Sequence, residues 1–157
     1  PYTPVRGDVF QPLQKSPPGA IPAPSSIAPA TPEIPAGTSV LRLTYTGGNG
    51  NDLTLSTISV TRTWDGGATL NDNWDEADNW TGNLAPLAGD VLVFPAGIQS
   101  TDRGLDNNFP DDTAFRQIIF NGDDFTVRGN RFRLTHGISL TTDRPDLYLW
   151  QWHHAAP

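Results

Sequence analysis

Cysteine and methionine are absent from this chain, and Lys15 is its single lysine. Without cysteine, the protein can form neither a disulfide framework nor a thiolate metal site. No apolar run approaches the roughly 20 residues that a membrane-spanning helix needs, so we expect no membrane span. No charged start with an apolar core precedes Tyr2, so we expect no signal peptide and interpret the sequence as an internal piece of a longer chain.

Basic residues are scarce as well, and the net charge is −7. Between positions 65 and 124, twelve acidic residues stand against two arginines. Such a surface repels phosphate backbones, so we expect no nucleic-acid partner. Arg128, Arg131 and Arg133 form the only basic patch. We interpret it as an exposed strand face beside acidic neighbours, with an anion site as the alternative.

Proline is abundant in residues 1–37, where it removes backbone donors and favours extended geometry. We therefore predict an extended, Pro-rich segment that is neither helix nor central strand. A Gly-Asp pair followed by valine occurs at positions 7–9 and again at 89–91, which predicts a turn that enters a strand. Residues 6–8 also spell Arg-Gly-Asp, and integrin recognition is the alternative interpretation.

A strand pair is predicted in residues 38–62. Apolar residues alternate through 40–45 and again from 53 to 60, with a slip of phase near Thr57 that indicates a bulge or a strand end. The glycine-rich turn between them, residues 47–52, matches the start of calcium-binding nonapeptide repeats. The alternative is a tight glycine turn that joins two strands.

Three of the five tryptophans lie in residues 64–95, which otherwise consist mostly of turn-forming residues. Large rings in such a segment predict a loop that packs on its own aromatics, as a plug or cap. The segment ends in the apolar run 91–94, which predicts a buried strand.

Short apolar strands separated by single glycine turns follow, at residues 115–120, 125–127, 132–134 and 138–140. Strands this short cannot form long hairpins, but they suit an all-β parallel β-solenoid, in which the fourth strand stacks on the first. This interpretation places residues 138–140 over 118–120. The alternative is an antiparallel meander folded into a β-sandwich.

Three stretches carry a resemblance to a known family. Residues 40–55 resemble the closing strand pair of autotransporter-like, β-helical repeat proteins of bacterial surfaces, which are abundant in planctomycetes. Residues 64–95, with Asn-Trp at 73–74 and 79–80, resemble the opening of the following repeat unit, and residues 115–140 resemble its first coils. The resemblance implies a junction between two units, with 38–62 closing one and 63–157 providing the tryptophan-rich cap and first coils of the next.

The function that this resemblance implies is a non-catalytic structural or adhesive module of a long, filament-forming protein that is extracellular or on the bacterial cell surface. Its partners would be neighbouring repeat units or identical subunits. Carbohydrate binding is the alternative, with a surface polysaccharide as partner. The candidate sugar-stacking residues are Trp64, Trp74, Trp80, Trp150 and Trp152.

Enzyme activity is not expected, because no spacing marks a carboxylate pair for hydrolysis and the single lysine lies in the Pro-rich segment. No cofactor is expected. Calcium is the one accessory ion that the sequence suggests, since carboxylates supply the oxygen ligands it prefers. The candidate ligands are Asp52, Asp72, Asp75 and Asp78. Asp75 is equally placed to cap a single helical turn.

Overall fold

The protein is all-β. The computed structural model describes residues 5–14, 33–47, 52–98, 105–122, 125–141 and 147–149, and strands make up more than half of these described residues. Within these ranges there is no α-helix, and hence none long and apolar enough to cross a bilayer. The chain divides into two compact units, Pro1–Val60 and Thr61–Pro157. The division lies two residues before the boundary predicted at 62/63.

The first unit is an antiparallel sheet. Its strands are β1 (Val9–Gln14), β2 (Glu33–Ala36), β3 (Ser39–Gly47) and β4 (Asp52–Thr63). They lie in the order β1-β4-β3-β2. β3 and β4 form the predicted strand pair. The sequence predicts only an extended chain for the Pro-rich segment. Its described parts instead form two edge strands, because β1 pairs with β4 and β2 pairs with β3.

Two irregularities in this sheet follow from the sequence. The β3–β4 register shifts where Val40 pairs with Ser59 and Leu41 pairs with Thr57, so that Ile58 is left as the extra residue of a bulge. The slip predicted near Thr57 is therefore confirmed. The β1–β4 register shifts between Phe10 and Leu13, a stretch that contains Pro12, and proline has no N–H to donate to a ladder.

The strand pairs that the structure describes in the second unit are all parallel. Its strands are β5 (Val91–Pro95), β6 (Leu105–Asn107), β7 (Thr113–Phe115), β8 (Gln117–Asn121), β9 (Phe125–Gly129), β10 (Phe132–Leu134), β11 (Ile138–Leu140) and β12 (Leu147–Leu149). The end of β4 pairs with β5, and β5, β8 and β11 extend this first ladder. β6, β9 and β12 form a second ladder, and β7 and β10 form a third.

The predicted placement of residues 138–140 over 118–120 is confirmed: Ile138 pairs with Ile118 and Leu140 with Phe120. The apolar triplets after position 115 thus pair in parallel, while antiparallel ladders among the described residues belong to the first unit. The sheet that contains β4 is consequently mixed, with antiparallel pairs in the first unit and parallel pairs in the second.

The core of the second unit lies between its three ladders. Alternate residues of each strand point inward, so Leu92 and Phe94 of β5 meet their register partners Ile118 and Phe120 of β8. The rings of Phe94 and Phe120 stack with centroids 5.2 Å apart. The fully buried aliphatic and phenylalanine side chains of this core are Leu92, Phe94, Leu105, Phe115, Ile118, Phe120 and Val127.

An asparagine corner joins β6 to β9. Asn107 Nδ2 donates to the carbonyl of Asn130, and the Asn130 N–H donates to the carbonyl of Asn107, both at 2.7 Å. Gly129, the residue before Asn130, has φ +93°. A Cβ at this position would be 2.3 Å from the Asn107 carbonyl oxygen. Only glycine fits this corner, because any side chain would push the two strands apart.

The repeated Gly-Asp turn has the same geometry in both units. Asp8 Oδ2 accepts the Val5 N–H at 2.7 Å, and Asp90 Oδ2 accepts the Leu87 N–H at 2.9 Å. The preceding glycine has φ +90° in both copies. In each case a strand begins at the following valine, so the predicted turn is confirmed at both positions.

Candidate functional site

The tryptophan cluster, formed by Trp64, Trp74 and Trp80, lies inside the core of the second unit. No more than 1% of any of the three side chains is exposed. Phe94 is the common contact, with ring centroids 5.8 Å from Trp64, 5.5 Å from Trp74 and 5.8 Å from Trp80. The cluster therefore packs on β5 as one aromatic body, as the sequence predicts for a loop that packs on its own rings.

Two kinds of contact fix the cluster. Trp64 and Trp80 pair edge to face, with centroids 5.1 Å apart and planes at 87°, and Trp80 Nε1 donates to the Trp74 carbonyl at 2.8 Å. The Trp74 N–H donates to the Asp106 carbonyl at 2.9 Å, which attaches the segment to β6. By contrast, the Trp74 Nε1–H has no hydrogen-bond acceptor among the described residues.

Asn79 organises the chain around these rings. It is wholly buried at the end of a 3₁₀ turn, Ala77–Asn79. Its amide nitrogen donates to the carbonyls of Asn71 and Asn73, both at 3.1 Å, and its Oδ1 accepts the Ala68 N–H at 3.0 Å. One side chain thus satisfies three backbone groups of a segment whose sheet pairing is limited to isolated bridges. Sequence reasoning missed this role, although the repeated Asn-Trp pair at 73–74 and 79–80 was a signal for it.

The burial of the tryptophan cluster overturns part of the sugar-stacking hypothesis. A sugar ring stacks on an open aromatic face, and Trp64, Trp74 and Trp80 present none because other side chains of the core cover them. The remaining candidates, Trp150 and Trp152, lie outside the described residues.

The candidate calcium ligands are not brought together. Asp52 begins β4 in the first unit, whereas Asp72, Asp75 and Asp78 belong to the second. In the part of the chain that the structure describes, no group of three or more acidic or histidine side chains is placed to hold a metal ion.

Asp75 has another partner. Its N–H donates to Asn108 Oδ1 at 3.0 Å, and its own Oδ1 accepts from Asn108 Nδ2. The predicted helical turn is present as the 3₁₀ turn, but the prediction that Asp75 caps it is wrong, because the N-cap residue is Glu76 and its side chain makes no capping bond. The Asp75 carboxylate joins the tryptophan-bearing segment to the loop after β6.

Removal of calcium is expected to leave stability unchanged. Because the described residues contain no group of three acidic or histidine side chains placed for a metal, and the Asp75 carboxylate is bonded to Asn108, we expect a chelator to extract no structural ion. The thermal unfolding midpoint should be the same within about 1 °C with EDTA and with added CaCl₂. A midpoint that rises with calcium concentration would contradict this expectation. It would indicate that calcium binds the folded protein, with Asp72, Asp75 and Asp78 again the candidate ligands.

The basic patch is ion-paired. Arg131 Nη2 lies 3.3 Å from Asp112 Oδ2, and Arg133 Nε lies 3.3 Å from Asp112 Oδ1. These pairs are exposed, so each contributes little to stability. Arg128 pairs in register with Asp106 across β6 and β9. The predicted acidic neighbours are confirmed, but the predicted strand face is not, because Arg131 precedes β10 and Arg128 and Arg133 lie on strands of different ladders.

A buried ion pair lies where β4 meets β5. Arg62 Nε is 3.6 Å from Asp90 Oδ2, and the Asp90 side chain is fully buried. The same carboxylate oxygen accepts the Leu87 N–H, so one aspartate holds the turn and compensates the arginine charge. The Gly-Asp pattern predicted the turn, but not the arginine that reaches its carboxylate.

The Asp106 carboxyl on β6 has a shifted pKa. Burial raises the pKa of its carboxyl, and the Arg128 guanidinium on the adjacent strand partly opposes that rise. A raised folded-state pKa means that this group's stability contribution is fully present below its unfolded pKa of about 4 and is lost as the pH rises through the folded value.

Asp106→Asn should therefore stabilise the protein near neutral pH. The neutral amide avoids burying a charge, so the variant's thermal midpoint should exceed that of the parent at pH 7, and the difference should vanish near pH 3, where the carboxyl is protonated. Asp78→Asn is the matched control, because Asp78 is exposed. The midpoint of this variant should equal that of the parent protein at pH 7 and again at pH 3. A lower midpoint for Asp106→Asn at pH 7 would show that the Arg128 attraction outweighs burial.

Comparison with known proteins adds no assignment. No protein family model matches the chain, and searches of curated proteins and of solved structures found no similar protein.

Proposed function

We propose that this protein is a non-catalytic structural or adhesive module, built as the junction between two units of a long repeat protein. In this proposal residues 61–149 are the first coils of a parallel β-solenoid, and the tryptophan cluster closes the beginning of the stack. Neighbouring repeat units or identical subunits are its partners, and it is displayed outside the cell or on a bacterial surface.

The observation that carries the proposal is the arrangement of the second unit in three parallel ladders. Successive strands of the chain enter the three ladders in rotation, so that β8, β9 and β10 are followed by β11 on top of β8. That order is what a coil of three strands produces, and a stack of such coils gains length by adding copies. A sandwich-like arrangement of the same ladders is the alternative architecture.

The chemistry of the surface supports a non-catalytic role. The described arginines of the basic patch are engaged by Asp106, Asp111 and Asp112, and the buried carboxylate of Asp90 is occupied by Arg62 and by a backbone N–H. A hydrolase needs two carboxylates that face a common substrate, and these aspartates are committed to structural contacts.

Carbohydrate binding is a second candidate, because Tyr148 on β12 is 55% exposed and lies in register with Thr126. An exposed aromatic ring with a neighbouring hydroxyl is a common element of sugar sites. This candidate would make the module an adhesin for surface polysaccharide, with contacts on the outer face of the second ladder.

One experiment separates the three functions. The protein is incubated with a panel of soluble polysaccharides, while calorimetry measures binding and the supernatant is assayed for new reducing ends and for unsaturated lyase products. A structural module gives neither heat nor products. Binding that Tyr148→Ala removes supports the carbohydrate candidate, and products that accumulate with protein concentration would overturn the non-catalytic proposal.

A further inference from the structure

An asparagine followed by glycine ends the strand β8. The pair is Asn121 and Gly122, and the related aspartate–glycine pair occurs at Asp65 and Gly66. A second asparagine–glycine pair, at positions 49–50, lies outside the described residues. In such a pair the backbone nitrogen of the glycine can attack the side-chain carbonyl carbon of the residue before it, because glycine has no side chain to hinder the approach. The structure distinguishes the two described pairs.

The pair at Asp65 and Gly66 is protected. The Gly66 N–H, which would be the nucleophile, donates to the Asn79 carbonyl at 3.2 Å. The Asp65 Oδ1 atom, on the carbon that would be attacked, accepts the Gly67 N–H at 3.1 Å. Both reacting groups are held in hydrogen bonds of the loop, so we expect no reaction at this pair.

The backbone nitrogen of Gly122 is not held in this way. Gly122 follows the last residue of β8, and its N–H donates to no residue in the part of the chain that the structure describes. A Cβ at this position would lie 2.9 Å from the Ala96 Cα, which is closer than side chains approach a backbone atom. The fold therefore requires glycine here, and glycine gives the least hindered nitrogen after Asn121.

The side chain of Asn121 is exposed, and its carbonyl is polarised. Asn121 Oδ1 accepts a hydrogen bond from Thr141 Oγ1 at 3.0 Å, and Thr141 is the residue that follows β11. A hydroxyl placed at this oxygen stabilises the negative charge that develops there when a nucleophile adds to the carbonyl carbon. The parallel pairing of β8 with β11 thus provides the group that activates Asn121.

We propose that Asn121 is a site of spontaneous deamidation in the folded protein. The Gly122 nitrogen forms a bond to Asn121 Cγ and gives up its proton, while the Cγ–Nδ2 bond breaks and ammonia leaves with that proton. A water molecule then opens the cyclic imide at either of its carbonyls, which gives aspartate or isoaspartate. Isoaspartate adds a methylene group to the backbone at the end of β8, where Asn121 pairs in register with Pro95, so this product should loosen the end of the first ladder.

Peptide mapping of the intact protein tests the proposal, because trypsin releases residues 117–128 with Asn121 as their single asparagine. The folded protein is aged at mildly alkaline pH in water enriched in heavy oxygen, beside a sample unfolded in guanidinium chloride. In the folded protein this peptide should convert to labelled aspartate and isoaspartate forms at least about tenfold faster than peptides with the other described asparagines. The peptide that contains Asp65 should take up no label.

Two variants of Thr141 test the activation of the carbonyl. Thr141→Val removes the hydroxyl and should slow the conversion about three- to tenfold, less than the loss of a donor in a site without water would. Thr141→Ser keeps the hydroxyl and should react at the parent rate. Near-ultraviolet circular dichroism of the tryptophan cluster, measured on every sample without denaturant, confirms that the variants are folded.

Three outcomes overturn the proposal. Conversion in guanidinium chloride but not in the folded protein would mean that the fold protects Asn121. Equal conversion of all described asparagines would mean that the structure selects no site. An unchanged or faster rate in Thr141→Val would mean that its hydrogen bond does not activate the carbonyl. None of these outcomes bears on the proposed function, which rests on the order of the parallel ladders.

Discussion

Trp74→Ala is expected to destabilise the protein by about 3–5 kcal/mol, the range seen when a large buried aromatic side chain is truncated in a core. Trp74 is completely buried, and its ring contacts Phe94, Phe115 and Phe132 at centroid distances of 5.5, 5.8 and 5.7 Å. These phenylalanines belong to the first and third ladders, so the loss removes a contact that joins both. Chemical denaturation followed by circular dichroism measures the effect.

Two phenylalanine variants separate ring packing from hydrogen bonding. Trp74→Phe removes an indole N–H that has no acceptor among the described residues. The variant should therefore lose only the stability that the larger ring contributes by packing. Trp80→Phe also removes the bond from Trp80 Nε1 to the buried Trp74 carbonyl, and should cost about 1–2 kcal/mol more. Leu70→Ala is the control for truncation, since Leu70 is almost fully exposed and should change stability by less than about 0.5 kcal/mol. Equal losses for Trp74→Ala and Leu70→Ala would contradict a packed cluster.

Asn79→Ala should cost about 2–3 kcal/mol. The substitution leaves the carbonyls of Asn71 and Asn73 and the N–H of Ala68 without the partner that satisfies them. Because these groups lie in the loop that carries the tryptophans, we expect the near-ultraviolet signal of the cluster to weaken together with the free energy of unfolding. Near-ultraviolet circular dichroism of the native variant measures the first quantity, and a denaturant titration with fluorescence detection measures the second.

The nearly isosteric Asn79→Asp variant is the sharper version of this test. A carboxylate still accepts the Ala68 N–H, but it cannot donate to the two carbonyls and instead repels them. It should therefore be at least as destabilising at pH 7 as Asn79→Ala. Thr81→Ala, at an exposed neighbouring position, serves as the control and should change stability by less than about 0.5 kcal/mol. If the Asn79→Asp variant were as stable as the parent protein, the hydrogen bonds that the Asn79 amide donates would not stabilise this loop.

Local rules predicted the features that depend on neighbours in sequence. The glycine-spaced triplets placed Ile138 over Ile118, because strands of three residues with one turn each leave little choice of register. The change of phase near Thr57 located a bulge, and Gly-Asp located two turns. In each case the pattern specifies backbone geometry that a few adjacent residues determine.

Features that depend on distant partners were not predictable in the same way. The Pro-rich segment contains two edge strands, because β3 and β4 offer it unpaired edges that no local pattern shows. Asn79 has the composition of a turn residue, and its role arises only once residues 68, 71 and 73 surround it. The tryptophans show both a success and a failure of sequence reasoning. Their spacing predicted a packed loop, but it did not decide whether the rings are buried or exposed for stacking on a sugar.

The described candidate site is thus an internal structural element. The tryptophan cluster, Asn79 and the Arg62–Asp90 pair all lie where the chain enters the first parallel ladder. Together they give a segment with little regular secondary structure a buried aromatic cluster and hydrogen-bond partners for its backbone. This is consistent with the proposed role, in which length and display of the surface provide the function.

The central claim, parallel stacking of the apolar triplets, is tested most directly by disulfide formation in a chain that has no native cysteine. Parallel pairing puts Asn121 beside Thr141, whose Oγ1 donates to Asn121 Oδ1 at 3.0 Å, whereas antiparallel pairing about the same centre would bring Gln117 to Thr141. Under mild oxidation, Asn121→Cys with Thr141→Cys should form an intramolecular disulfide, and Gln117→Cys with Thr141→Cys should remain reduced. Cross-linking of the second pair and not the first would contradict the account.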